Sequence, residues 1–437
     1  MNRPATDAAR GSALIITMCI IIALLIFSAG FMLSPWHDSF LTHRVYRGAV
    51  AFNLAEAGVE YVYHAMNADA ELSDWGGAPK TRSVTGFSTN AGEVKGDFVI
   101  RAWPTPMSPK PYWLVESIGY APGIHAPGVL ARTVKALCVP KVIRPFDGAF
   151  LGDALVTLGG GLVVDSYDSR DGVYGGDNVH RGAPGEPDEG KGDIATNSGG
   201  DPAVDLGQNI TVYGNVMTGE GGTVTGGATI SGTVTHDFEQ ELPYNSPPSR
   251  NYVVEPGAGV LTVKSDLTYE PGYYKFTGIK STGHVLTFTG PPSDSSDPAT
   301  VVWVTGYRGT SISLSGNGTI NLVGKVEFYL DAPASFSGNG LTNPGGIPAD
   351  CSIYGGVGCT DLYIGGSAAF YGAVYAPNAD LKFTGSEDKY GSFVGKTVTV
   401  QGGTEYHYDE ALGEKELQGG KYALRYWQEM PPPMPTP

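Results

Sequence analysis

Asp165, Asp168, Asp171 and Asp177 form a cluster of carboxylates, with Tyr167, Tyr174 and several glycines between them. A loop rich in carboxylate oxygens suits Ca²⁺, a hard cation that takes about six to eight oxygen ligands. The spacing matches neither an EF-hand loop nor the glycine repeats of calcium-binding β-rolls. A calcium site therefore stands beside the plainer reading of a solvated acidic loop. The eight histidines are scattered, and no two lie at the i, i+4 spacing of a helix-borne metal site. His407, between Tyr406 and Tyr408, reads as part of an aromatic cluster rather than as a ligand. No Gly-x-Ser-x-Gly elbow or Walker-type glycine loop is present, and Gly159-Gly160-Gly161 leads into a strand, not a phosphate-binding helix. Asp361, Asp380, Lys382 and Tyr375 are the residue types a carbohydrate-active enzyme would use, yet nothing in their spacing requires them to meet. The chain is read as a non-enzyme without an obligatory cofactor, calcium being the one ion considered.

Cys351 and Cys359 bracket Ser-Ile-Tyr-Gly-Gly-Val-Gly, and an oxidising compartment predicts a local disulfide there. No further Cys or His is near enough in sequence to suggest zinc. The 437 residues carry 16% charged side chains, 63 Gly and 31 Pro, a balance that disfavours a helix-rich cytosolic enzyme. A net charge of −16 argues against a nucleic-acid partner, since phosphate binding needs a basic surface. The 24 tyrosines and six tryptophans offer aromatic faces that a glycan or surface ligand can use, although each is equally at home in a core.

These residues must be held by elements. From Ser12 to Leu33 no residue is charged, and Arg3 and Arg10 precede the run. About 20 such residues span a hydrocarbon core of about 30 Å as a helix. The positive flank predicts a single-pass protein of the bacterial inner membrane with its body outside the cytoplasm. Val45, Phe52, Ala55, Val59 and Val62 recur at helical steps and continue the rod. Beyond it, three β-prone runs predict a small sheet. The glycine-punctuated strands that follow, of three to five residues each, predict a parallel β-helix. An antiparallel β-sandwich is the competing architecture, because periodicity alone does not set strand pairing. The expected segments are a leader over 1–11, a transmembrane helix over 12–34, an amphipathic helix over 35–68, a small sheet over 93–142, a β body over 146–409 and a tail over 410–437. A short helix is expected within the tail at 411–426.

Arg10-Gly11-Ser12-Ala13-Leu14 and the stretch Ala51-Phe52-Asn53-Leu54-Ala55-Glu56-Ala57-Gly58-Val59-Glu60 resemble type IV pilin-like proteins. The likeness is to PilX-like minor pilins and the tip pseudopilins of type II secretion in particular. It implies cleavage by a prepilin peptidase after Gly11, leaving Ser12 as the mature N-terminus and the apolar stem in place. Major pilins carry a glutamate at the fifth mature position, where this chain has Ile16, a departure shared by some tip and initiating subunits. The resemblance implies partners among pilin or pseudopilin subunits and a role in pilus assembly or surface adhesion. A cleaved secretory signal ending near Ser28-Ala29-Gly30 is the rival reading of the same stretch. A tethered carbohydrate-active enzyme and a passive envelope scaffold are the rival functions.

Overall fold

The computed structural model of the chain describes residues 7–68, 72–88, 95–105, 112–121, 130–186 and 189–431. The first six residues of the expected leader and the last six of the tail lie outside the described residues. The chain divides into one unit of residues 1–140 with 421–437 and a second of residues 141–420.

In the first unit a 62-residue helix, α1 (Asp7–Ala68), runs without a break. Its C-terminal part buries Leu54, Ala55, Val59, Val62 and Met66, the three- and four-residue steps of one helical face. That face lies on an antiparallel sheet of β1 (Lys80–Ser88), β2 (Lys95–Thr105), β3 (Tyr112–Ala121) and β4 (Leu130–Ile143), completed by the strand Leu417–Met430. The sheet answers with period two: Phe98, Ile100 and Ala102 of β2, then Val134, Ala136 and Cys138 of β4, are buried and the residues between them less so. Helix and sheet approach closely at two glycines. A Cβ on Gly119 would stand 2.1 Å from the carbonyl oxygen of Ala51, and one on Gly58 would stand 2.0 Å from Ser117 Oγ. At Gly119, where the atoms met are backbone, any larger residue would force the helix off the sheet.

The second unit begins with β5 (Phe150–Leu158) and β6 (Val163–Tyr167). Its ladders between described strands are parallel, which corrects the antiparallel-sandwich alternative. The strands do not follow one another from first to last along the sheet. β5 enters the middle of an 18-stranded sheet, with Lys389–Val400 on one side and Ile194–Thr196 and Val204–Val212 on the other. The chain then moves outward to Val224–Ile230. It resumes with Val253–Val263, and later strands pair with their counterparts one coil earlier, Thr300–Val304 on Tyr273–Ser281 and Val326–Leu330 on Thr300–Val304 for example, until Lys389–Val400 closes against β5. A second parallel sheet of four short strands, Leu267–Tyr269, Val285–Thr289, Thr319–Val323 and Gly340–Thr342, accompanies part of it.

One side-chain ladder runs through both halves of this path. Val302, Phe328, Ile353, Val374, Phe393, Phe150, Ile194 and Val216 are successive register partners, and all are buried. The seam between the first and last strands is thus as apolar as the rest. Each such side chain contributes roughly 1.5–3 kcal/mol by leaving water.

The transmembrane helix over 12–34, and with it the single-pass inner-membrane location, is corrected by the structure. Among the described residues no helix is long and apolar enough to cross a membrane. Residues 17–29, whose side chains are described, make about 20 Å of helix at about 1.5 Å per residue, against a hydrocarbon core of about 30 Å. The apolar run is one end of a longer rod that continues past Pro35. The short helix expected over 411–426 is also corrected. A 3₁₀ turn, Glu410–Glu414, leads into the strand Leu417–Met430. Tyr422 is buried in that strand, its OH accepts from Trp113 Nε1 at 3.3 Å, and its N–H donates to Asn67 Oδ1 at 2.6 Å.

Candidate functional site

The polar centre of the second unit lies where β6 pairs with the strand Tyr406–Asp409. Alternation sends Val164, Tyr406 and Tyr408 into the apolar core. Asp165, Tyr167, His407 and Asp409 point the other way, yet they too are buried. The insert following β6 covers them: Tyr174 lies on His407 with ring centroids 3.7 Å apart, and the backbone N–H of Ser169 donates to Asp409 Oδ1 at 2.9 Å. A polar layer is therefore sealed between a β face and a loop.

Asp165 and His407 are direct register partners. Asp165 Oδ1 lies 2.6 Å from His407 Nδ1, while Oδ2 accepts from Arg181 Nε at 2.7 Å and from Tyr174 OH at 2.8 Å. Arg181 also donates through Nη2 to Glu405 Oε2 at 3.3 Å. On the far side of the imidazole, Nε2 has no hydrogen-bond partner and faces Glu405 Oε2 at 3.9 Å and Asp388 Oδ2 at 4.0 Å. The Glu405 backbone N–H donates to Asp388 Oδ1 at 3.1 Å. Tyr390, stacked on Tyr371 at 4.3 Å, lies 4.7 Å from the imidazole.

Next to this group, Glu410 accepts from Ser166 Oγ at 2.9 Å and Lys191 Nζ at 2.5 Å, and its Oε1 lies 2.6 Å from His180 Nδ1. Burial pushes its carboxyl up, but the bonds from His180, Lys191 and Ser166 outweigh that and hold it below its ordinary value. Asp409 is raised by burial, against the bonds from Ser169 and Ala411. Burial also raises the Tyr174 hydroxyl, with Asp165 adding to the effect, so it stays a donor.

The four aspartates of the acidic loop are not brought together. Asp165 lies inside, committed to a guanidinium, an imidazole and a phenol. Asp168 is half-buried and holds Arg170 in a two-pronged pair at 2.8 and 2.6 Å, and the Arg170 hydrogen bond lowers its carboxyl. Asp171 and Asp177 are exposed. Among the described residues the ligand-type atoms that do converge belong to Asp165, Glu405 and His407. In sequence His407 shows only aromatic neighbours; Asp165 and His407 stand 242 positions apart, and only the closing seam makes them partners. Cys351 and Cys359 are both buried free thiols rather than a bridge. Gly11 and Ser12 lie within α1. Asp361 and Asp380 are register partners and line, with Lys382, Tyr363 and Thr397, a groove of about 540 Å³; Tyr375 instead turns inward and donates to the carbonyl of Pro243 at 2.6 Å.

Residues 248–415 match a family profile described as a domain of unknown function, DUF7305. That stretch contains Asp388, Glu405 and His407 but neither Asp165 nor Arg181. No curated protein matches the chain. Among solved structures, the competence-associated pilin ComZ from Thermus thermophilus is similar at 10% identity and a TM-score of 0.25, over 87% of this chain and 97% of that one. A likeness that slight leaves function to be argued from the chain's own residues.

Proposed function

We propose that the chain is a pilin-like minor subunit of a pilus or pseudopilus, whose helix packs among those of neighbouring subunits and whose β body serves assembly or surface adhesion. The supporting observation is the division of α1. Its C-terminal part is buried on its own sheet, whereas Met18, Leu24, Leu25, Ile26 and Phe27, with Leu41 and Val45 further on, stand exposed, Phe27 at 78% and Val45 at 73%. So much contiguous apolar surface calls for a cover. Equivalent helices of other subunits supply one at matching length and character. Ile16, in place of the glutamate of major pilins, suits a minor position. In this reading a prepilin peptidase cuts between Gly11 and Ser12. The finer likeness to PilX-like minor pilins rests on residues 10–14 and 51–60 alone. Deleting the gene and imaging the cells tests the proposal: reduced piliation or surface attachment is expected, and unchanged values for both would contradict it.

The groove at Asp361, Asp380 and Lys382 favours a second reading, a carbohydrate-active enzyme. Release of reducing or unsaturated sugar ends by the purified chain would support it over the first.

A further inference from the structure

We propose that the groove on the outer face of the second unit's ladder binds a neutral oligosaccharide without cutting it. The groove, of about 540 Å³, crosses four successive register-paired strands, Ala334–Phe336, Asp361–Ile364, Phe370–Phe383 and Lys389–Val400. At about 4.8 Å between neighbouring strands its floor is about 14 Å long, room for a short chain of sugars. Ser335, Tyr363, Lys382 and Thr399 are successive register partners and make one polar row along it, while Leu362 and Leu381 beside them turn into the core.

The lining suits hydroxyl groups. Ser335 Oγ, Lys382 Nζ, Thr399 Oγ1 and the side-chain amide of Gln401 have no hydrogen-bond partner among the described residues. Asp361 Oδ2 accepts from Thr360 Oγ1 at 2.7 Å and Asp380 Oδ1 from Thr397 Oγ1 at 2.8 Å, which leaves one oxygen of each carboxylate to accept from a ligand. Donors and acceptors thus mingle along the floor, and a polyhydroxylated ring, each hydroxyl of which both donates and accepts, satisfies both kinds. Tyr363 adds a fixed apolar surface. Its OH is hydrogen-bonded to Thr384 Oγ1 at 2.5 Å, and its ring lies against Gly365, where a Cβ would stand 2.8 Å from Cε1. A ring held in this way offers a platform to the C–H face of a sugar.

Asp361 and Asp380 are direct register partners, and like charges set opposite each other on neighbouring strands cost stability. A fold that keeps such a pair at the centre of a groove violates a local rule where a ligand would use both groups. The same two carboxylates against the single ammonium of Lys382 disfavour phosphate and uronate ligands. An extended peptide would need a free strand edge, and all four strands of the floor are paired on both sides. Glycoside cleavage needs two carboxyl groups flanking the scissile bond. Here Asp361 and Asp380 rise side by side from the same face, and among the described residues no other carboxylate lines the groove. The proposal rests on the adhesion reading above, to which it gives a ligand class.

The test presents the full purified chain with a panel of neutral oligosaccharides of hexoses and N-acetylhexosamines, with trigalacturonate as the anionic control, followed by calorimetric titration with the strongest binder. Binding to a neutral member, with no release of reducing ends, is expected. Asp361→Asn combined with Lys382→Ala, both at exposed positions, should weaken that binding at least about tenfold. The melting temperature of this variant should stay level or rise, because the opposed charges are relieved. No binding to any neutral member, preference for trigalacturonate, release of reducing ends, or unchanged affinity in the double variant would each overturn the proposal. Sugar binding is read on the purified chain and piliation on the deletion strain, so the groove and the pilus role fail separately.

Discussion

Glu410 illustrates how much of the second unit's polar chemistry is settled by single side chains. Its carboxyl lies below the ordinary 4.5 because His180, Lys191 and Ser166 bind it. A group whose folded pKa is depressed stabilises the fold fully above its unfolded value and loses that contribution as pH falls through the folded one. Denaturant melts of the wild-type chain should therefore lose stability below about pH 4.5 relative to Glu410→Gln, and parallel pH profiles for the two would refute the assignment. Asp409 and Asp193, raised by burial, shift stability in the opposite sense, which is why the difference between the two chains is the quantity to measure. The thiols make a second residue-scale prediction. Burial pushes Cys351 and Cys359 up to about 12, so a thiol reagent should label them slowly in the native chain and rapidly after unfolding. Rapid native labelling would contradict the buried, free state. Little of this was legible in sequence. A Cys-bounded glycine loop reads as a bridge, and a histidine between two tyrosines reads as packing, because neither pattern encodes what the neighbouring rung supplies.

At the scale of elements, sequence is more informative wherever a run is long enough to show its period. Runs such as Val326–Leu330 and Phe370–Phe383 announce strands through β-branched and aromatic residues between glycines. The same signal said nothing about the order of pairing, since Phe150 and Phe393 carry no mark that they will be neighbours. Leu417–Met430 was missed because its charged residues suggested a helix, whereas Tyr422 needs a buried place on the sheet edge. Two substitutions test the packing described. Phe393→Ala, at the centre of the apolar ladder, should cost about 3–5 kcal/mol in denaturant unfolding. Gly119→Val should cost about 1–3 kcal/mol, because its side chain would meet the backbone of α1. Near-neutral results at both positions would refute the contacts assigned to them.

For the molecule as a whole, the long helix is the element that sequence and structure treat most differently. Composition alone makes residues 12–34 a membrane span; among the described residues no helix meets that requirement, and the exposed apolar end of α1 is read instead as surface for like helices. The function proposed here stands on that surface being kept in the mature protein. Sequencing the N-terminus of the protein isolated from its own cells tests this most directly. A start at Ser12 is the predicted result. A start near Ala29 or Phe31 would mean that the apolar stretch had been removed, and would contradict a subunit that assembles through its helix.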